Sequence, residues 1–75
     1  MNWNQLQYVL TIAQEKNITK AAQKLYLSQP SLSMSLKNLE EELGVEIFER
    51  KKGVLELTYA GELFCHWAED SLRSK

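Results

Sequence analysis

A mainly α chain, folded as a winged helix-turn-helix, is predicted by three observations. The first is the stretch Ser28-Gln29-Pro30-Ser31-Leu32-Ser33-Met34-Ser35-Leu36-Lys37-Asn38-Leu39-Glu40, which reads as one amphipathic helix. Leu32, Leu36, Leu39 and Leu43 recur at i, i+4, i+7 and i+11, on one side of a 3.6-residue helix. The second is the connection Tyr26-Leu27-Ser28-Gln29 to a short helix before it, a length that suits two helices meeting through a tight turn. The third is a pair of short extended segments around Lys51-Lys52-Gly53, which read as a hairpin, or wing. Three helices, a two-stranded wing and a C-terminal helix are expected.

Taken in order, residues 4–16 form the first helix. Leu6, Val9, Leu10 and Ala13 fit i, i+3, i+4, i+7, with Trp3, Tyr8 and Ile12 flanking and Asn2 or Asn4 as cap. Trp3 is read as core. Lys16 and Asn17 end the helix. Thr19 is a good N-cap for a second, short helix running to Leu25 or Tyr26. Its Ala21 and Ala22 allow close approach of a neighbour, and Ile18 and Leu25 point to the core. The turn that follows lacks the glycine often found there.

Pro30 suits the first turn of the third helix, where its missing N–H would have no intrahelical partner. Ser28 or Gln29 caps it, and the restriction on residues before proline favours Gln29 as the boundary. Gly44 is a good terminator after Leu43. Val45, Ile47 and Phe48-Glu49-Arg50 are extended, as are Val54-Leu55-Glu56-Leu57. Phe48, Leu55 and Leu57 must be tied to the helices, because a lone hairpin is marginal. Thr58 caps a last helix, Tyr59 to about Leu72, with a stripe of Ala60, Leu63, Phe64, Trp67 and Ser71 widened by Tyr59, Ala68 and Leu72. So wide an apolar arc is more than 75 residues can cover. Tyr59, Leu63, Phe64 and Trp67 are therefore candidates for cover by a second copy of the chain. Arg73-Ser74-Lys75 carries no helix stop, which reads as a chain that continues.

Composition excludes several classes. No apolar run approaches the ~20 residues of a membrane span, and no signal peptide opens the chain. The single Cys65 excludes an internal disulfide and a Cys-rich zinc site. Cys65 and His66 are neighbours on a helix and project apart, with no second ligand pair, so neither metal nor cofactor is expected. No Gly-rich phosphate loop, carboxylate pair or nucleophile–base arrangement is visible, which sets an enzyme aside. A cytoplasmic location is the default.

The net charge of −1 argues against nucleic acid, but its distribution argues for it. Between Lys16 and Asn38 stand Lys16, Lys20, Lys24 and Lys37 with no Asp or Glu, and Arg50, Lys51 and Lys52 form a second basic cluster. The acids of the third helix, Glu40, Glu41 and Glu42, lie in its last turns and would repel phosphate, so that end is expected to point away from DNA. The N-terminal half of the helix is rich in hydroxyls and amides, a surface that a major groove accepts.

The runs Ala21-Ala22-Gln23-Lys24-Leu25-Tyr26-Leu27-Ser28-Gln29-Pro30-Ser31-Leu32-Ser33, Leu39-Glu40-Glu41-Glu42-Leu43-Gly44-Val45, Phe48-Glu49-Arg50 and Leu57-Thr58-Tyr59-Ala60-Gly61 closely resemble the N-terminal domain of LysR-type transcriptional regulators. The resemblance covers essentially the whole chain. It implies a bacterial DNA-binding domain over residues 1–58 and the start of a linker and dimerisation helix over residues 59–75. A regulatory, effector-binding domain would lie outside this chain, so a small-molecule effector would act only through that missing part. By position, Ser28, Gln29, Pro30 and Ser33 match the family's reading helix, Thr19 and Ala22 its second helix, and Arg50 the arginine at the wing's base. The chain departs from the family at Met34, often arginine, at Asn38, often basic, and in the wing, where Lys52-Gly53-Val54 and Glu56 replace a Gly-Arg-Gly run and a later arginine.

The expected partner is double-stranded DNA, bound by a homodimer. Gln29 can pair with adenine N6 and N7, Ser31 and Ser33 with phosphates or base edges, and Met34 can press on a thymine methyl. Each has a plainer role as well: a helix cap for Gln29, a solvated hydroxyl for the serines, an exposed apolar side chain for Met34. Lys20, Lys24 and Lys37 are candidates for phosphate, as are Arg50, Lys51 and Lys52. Arg50 has a rival role as an ion-pair partner of Glu46 or Glu49. Thr19 either caps its helix or meets phosphate. The alternative reading is a winged helix used only for protein–protein contact, which the acidic total and Glu56 favour.

Overall fold

The computed structural model describes residues 2–73, in the order α1 (Trp3–Glu15), α2 (Ile18–Lys24), α3 (Gln29–Leu43), β1 (Phe48–Lys51), β2 (Val54–Leu57) and α4 (Tyr59–Arg73). This is the predicted winged helix-turn-helix. Ser74 and Lys75, read as part of the last helix, lie outside the described residues.

The helix starts follow hydrogen-bond chemistry more closely than the sequence suggests. Asn2 caps α1, with its side chain accepting the Gln5 N–H at 2.9 Å while the Gln5 side chain accepts the Asn2 N–H at 3.1 Å. Asn4 is inside the helix. Asn17, not Thr19, caps α2: its carboxamide accepts the Lys20 N–H at 2.9 Å, which puts Thr19 in the first turn. Ser28, not Gln29, caps α3, with Oγ accepting the Ser31 N–H at 3.2 Å. Asparagine and serine there supply the acceptor that the orphan amides need. Pro30 sits in the first turn, as its chemistry demands.

Between α2 and α3 the chain turns through two backbone bonds, Leu27 N–H to Ala22 O at 2.9 Å and Tyr26 N–H to Gln23 O at 3.2 Å. This is the Schellman arrangement, in which the residue past the cap is left-handed. Tyr26 holds that place at φ 58°. For a bulky L-residue the conformation costs roughly 1–2 kcal/mol.

The wing pairs Phe48 with Leu57, Glu49 with Glu56, Arg50 with Leu55 and Lys51 with Val54. Lys51 is thus a strand residue, and the turn is Lys52-Gly53 alone. Both have positive φ, 53° and 77°, as a two-residue type I′ turn requires. Glu40, read only as a charge near a helix end, reaches back to the start of the wing. Its Oε2 accepts the N–H of Ile47 at 2.6 Å and of Phe48 at 3.3 Å, two amides that α3 and β1 would otherwise leave unpaired. Thr58 then ties the wing to α4: its hydroxyl donates to the Glu46 carbonyl and accepts the Gly61 N–H at 2.9 Å.

The core gathers Val9 and Ile12 of α1, Ala21 and Ala22 of α2, Leu32 and Leu39 of α3, Ile47, Phe48 and Cys65. Ile12, placed at the flank by the sequence, is fully buried, whereas Leu10 and Ala13 are half-buried. Trp3, read as core, is 40% exposed. Of the leucine stripe, Leu32 and Leu39 are buried and Leu36 packs on the core, each burial stabilising by roughly 1.5–3 kcal/mol. Leu43 is exposed.

Helix α4 buries Gly61, Cys65 and Ala68, its small residues, not the large stripe that the sequence marks. Leu63, Trp67 and Tyr59 are 54%, 49% and 78% exposed. With Leu43, Val45, Ala60 and Phe64, Leu63 and Trp67 line an open apolar groove. Phe64 and Trp67 pack ring to ring at 5.8 Å. Burial, and then the Glu69 carboxylate, push the Cys65 thiol up, so it stays a protonated packing residue at neutral pH.

Candidate nucleic-acid interface

The exposed side of α3 is built by its first two turns. Ser28, Gln29, Pro30 and Ser31 are exposed, Ser33 is half-buried, and Met34, at 58%, Lys37 and Asn38 face solvent. Opposite them the leucines hold the helix to the core. The surface around Gln29 and that around Lys52 are both open.

Within this face the polar groups are already ordered. Ser28 Oγ donates to Ser31 Oγ at 2.8 Å, and Gln29 Nε2 donates to Ser33 Oγ at 2.9 Å, one helical turn on. The second bond fixes the direction of the Gln29 carboxamide. It uses one of the two Nε2 hydrogens and leaves the other, with Oε1, without a hydrogen-bond partner among the described residues. A carboxamide so held presents a donor and an acceptor side by side, the pair that an adenine edge complements. Ser33 is thus placed to orient Gln29, a role invisible in the sequence.

Cations flank the face unevenly. Lys24 lies 2.7 Å from the Glu15 carboxylate, which partly offsets its charge. Lys51 lies 3.8 Å from Glu49, which faces Glu56 across the wing. Among the described residues Arg50 makes no ion pair with Glu46 or Glu49, and Lys20, Lys37 and Lys52 make none either. Lys52 stands at the wing's tip. Thr19 is exposed beside Lys20. Ala22 is 2% exposed: its methyl belongs to the core, where its size lets α2 lie close to α3, and it presents no side chain to a ligand. Tyr26, absent from the expected set, is 96% exposed next to the start of α3.

No helix among the described residues is long and apolar enough to cross a membrane, and no group of three or more His, Cys, Asp or Glu among them could hold a metal ion.

Comparison with known proteins agrees with this geometry. Residues 3–62 match the family model described as bacterial regulatory helix-turn-helix protein, lysR family. The chain is 52% identical over 73 residues to the HTH-type transcriptional regulator BsdA of Bacillus subtilis (strain 168), covering 96% of this chain and 25% of that protein. Full-length OxyR C199D from Pseudomonas aeruginosa superposes with a TM-score of 0.90 at 43% identity, over 99% of this chain and 25% of OxyR. The BenM DNA-binding domain in complex with catB site 1 DNA superposes with a TM-score of 0.92 at 38% identity, over 99% of this chain and 82% of the other. The chain spans about a quarter of the length of the curated relatives it matches. Those relatives are transcriptional regulators, which sets the enzyme reading aside. By the extent of the family match and the likeness of the fold, the chain belongs to the LysR family of bacterial regulatory helix-turn-helix proteins.

Proposed function

We propose that this chain is the DNA-binding part of a transcriptional regulator, reading the major groove with the N-terminal half of α3 and meeting the sugar-phosphate backbone or minor groove with the wing. The observation that carries this reading is the Gln29 carboxamide, exposed and oriented by Ser33, at the open end of a helix whose other side is core. Base contacts fall to Gln29, Ser28, Pro30, Ser31 and Met34, with Ser33 holding the Gln29 carboxamide in place. Phosphate contacts fall to Thr19, Lys20, Lys37, Arg50, Lys52 and, after release from Glu49, Lys51. Ala22 supports this surface from beneath. That similar domains have been solved on DNA favours the reading over a winged helix for protein contact alone. The reading places the protein in the cytoplasm, with α4 opening a linker toward an effector-binding domain.

A salt titration tests the electrostatic half. Lys52→Ala is expected to weaken cognate and random duplex alike and to reduce the slope of log K against log salt by about 1, one phosphate's worth of released counterion. An unchanged slope removes Lys52 from the phosphate set.

The exposed Tyr59, Leu63 and Trp67, with the half-buried Phe64 beside them, support pairing of two copies through α4. Two-fold pairing sets two α3 helices on half-sites about one turn of duplex, ~34 Å, or a multiple apart. Replacing Leu63 and Trp67 together by serine is expected to weaken binding to a two-half-site duplex and to spare binding to a single half-site. Equal losses on both duplexes count against α4 as the pairing element.

A further inference from the structure

Tyr26 gives the fold nothing that its side chain could supply. It is 96% exposed, and among the described residues its ring stacks on no other aromatic and its hydroxyl has no hydrogen-bond partner. Its backbone is nonetheless left-handed at φ 58°, a conformation that glycine adopts without strain. The bonds of Leu27 N–H to Ala22 O and Tyr26 N–H to Gln23 O fix that backbone, and Leu27 packs on the core, so the ring projects from a rigid mount. Ser28 and Gln29 follow within three residues. No carboxylate occurs between Lys16 and Leu39, Glu15 is taken up by Lys24, and Glu40 by the amides of Ile47 and Phe48. The surroundings of the phenol therefore favour an anion, and a phenol O–H is a donor to phosphate oxygen.

We propose that Tyr26 is a further DNA-contacting residue, its hydroxyl donating to a backbone phosphate at the edge of the groove that α3 enters. The proposal rests on the DNA-binding reading above. Because the group is uncharged, its contact releases no counterion, which distinguishes it from every lysine and arginine contact.

The test compares the wild-type chain with Tyr26→Phe and Tyr26→Gly, by fluorescence anisotropy on a duplex from beside its own coding region and on a scrambled duplex, across a range of salt. Tyr26→Phe is expected to weaken both duplexes about fivefold, with the salt lines parallel to wild type. Tyr26→Gly is expected to weaken them at least as much while raising the melting temperature, since the strain is relieved. Wild-type affinity in Tyr26→Phe overturns the proposal, as does a loss confined to the cognate duplex, a changed salt slope, or a lowered melting temperature in Tyr26→Gly. Failure of the wild-type chain to bind either duplex overturns the DNA-binding reading itself.

Discussion

Gly61→Ala is expected to destabilise the domain by about 3 kcal/mol, the upper range for forcing a methyl into a packed interior. In an ordinary helix the same change stabilises by roughly 1 kcal/mol, because alanine is the better helix former. Here the sign reverses. A Cβ on Gly61 would overlap the Ile47 carbonyl oxygen and stand 3.0 Å from the Ile47 carbonyl carbon and 3.1 Å from Leu57 Cδ2. Leu57 has a flexible end that can yield. The Ile47 carbonyl cannot, because it accepts the Thr58 N–H at 3.0 Å and so belongs to the joint between wing and helix. At roughly 0.05–0.15 kcal/mol per residue the whole domain holds only about 4–11 kcal/mol. A loss of this size lowers the melting temperature by about 12–24 °C at ~4–8 °C per kcal/mol. Thermal unfolding followed by circular dichroism measures it, and a melting temperature equal to or above wild type would show that α4 can lift from the wing freely.

The same close approach explains where the sequence was legible and where it was not. Element type and order follow from periodicity and turn chemistry, and all six elements occur in the expected order, with several ends shifted by one to three residues. The buried side of α4 did not follow, because hydrophobic periodicity rewards size. Leu63, Phe64 and Trp67 make the strongest stripe, yet the side of α4 that packs on α1 and the wing carries Gly61, Cys65 and Ala68 at i, i+4 and i+7. The spacing of small residues carried that information and was outweighed. Leu43 was misplaced for a related reason: the leucine period runs to the end of α3, but the core beneath it stops at Leu39. The caps were off by one or two residues because proline and threonine rules are biases, whereas the amides of Lys20 and Ser31 need an acceptor at a fixed distance, which Asn17 and Ser28 supply.

In the site, the exposed serines, Gln29, Met34, Lys37 and the wing cations could be placed from the helical period and the hairpin. Ala22 could not, since a family motif records a position and not the reason it is kept. Lys24 reads as free charge until α1 and α2 bring Glu15 beside it. Tyr26 was hidden by the absence of a signal: a missing glycine looks like a weaker turn, and only the backbone angle shows that the turn forms regardless.

Gln29→Ala is expected to lose about 1–3 kcal/mol of discrimination, roughly 5- to 150-fold, on the cognate duplex and little on random sequence. Alanine keeps the helix but removes both partners of the adenine edge. Ser33→Ala removes the bond that aims the carboxamide, and leaves Gln29 to rotate among its rotamers. Its expected loss is smaller, about 0.5–1.5 kcal/mol, the net worth of one neutral hydrogen bond. The two effects are not independent, because Ser33 acts on specificity through Gln29. In the double variant the second substitution should therefore add almost nothing, giving a coupling close to the whole Ser33 effect. Affinities of the four proteins for cognate and random duplex at one salt concentration close the cycle. Additive losses would give Ser33 a contact of its own with DNA, and equal losses on both duplexes for Gln29→Ala would deny Gln29 the reading of sequence.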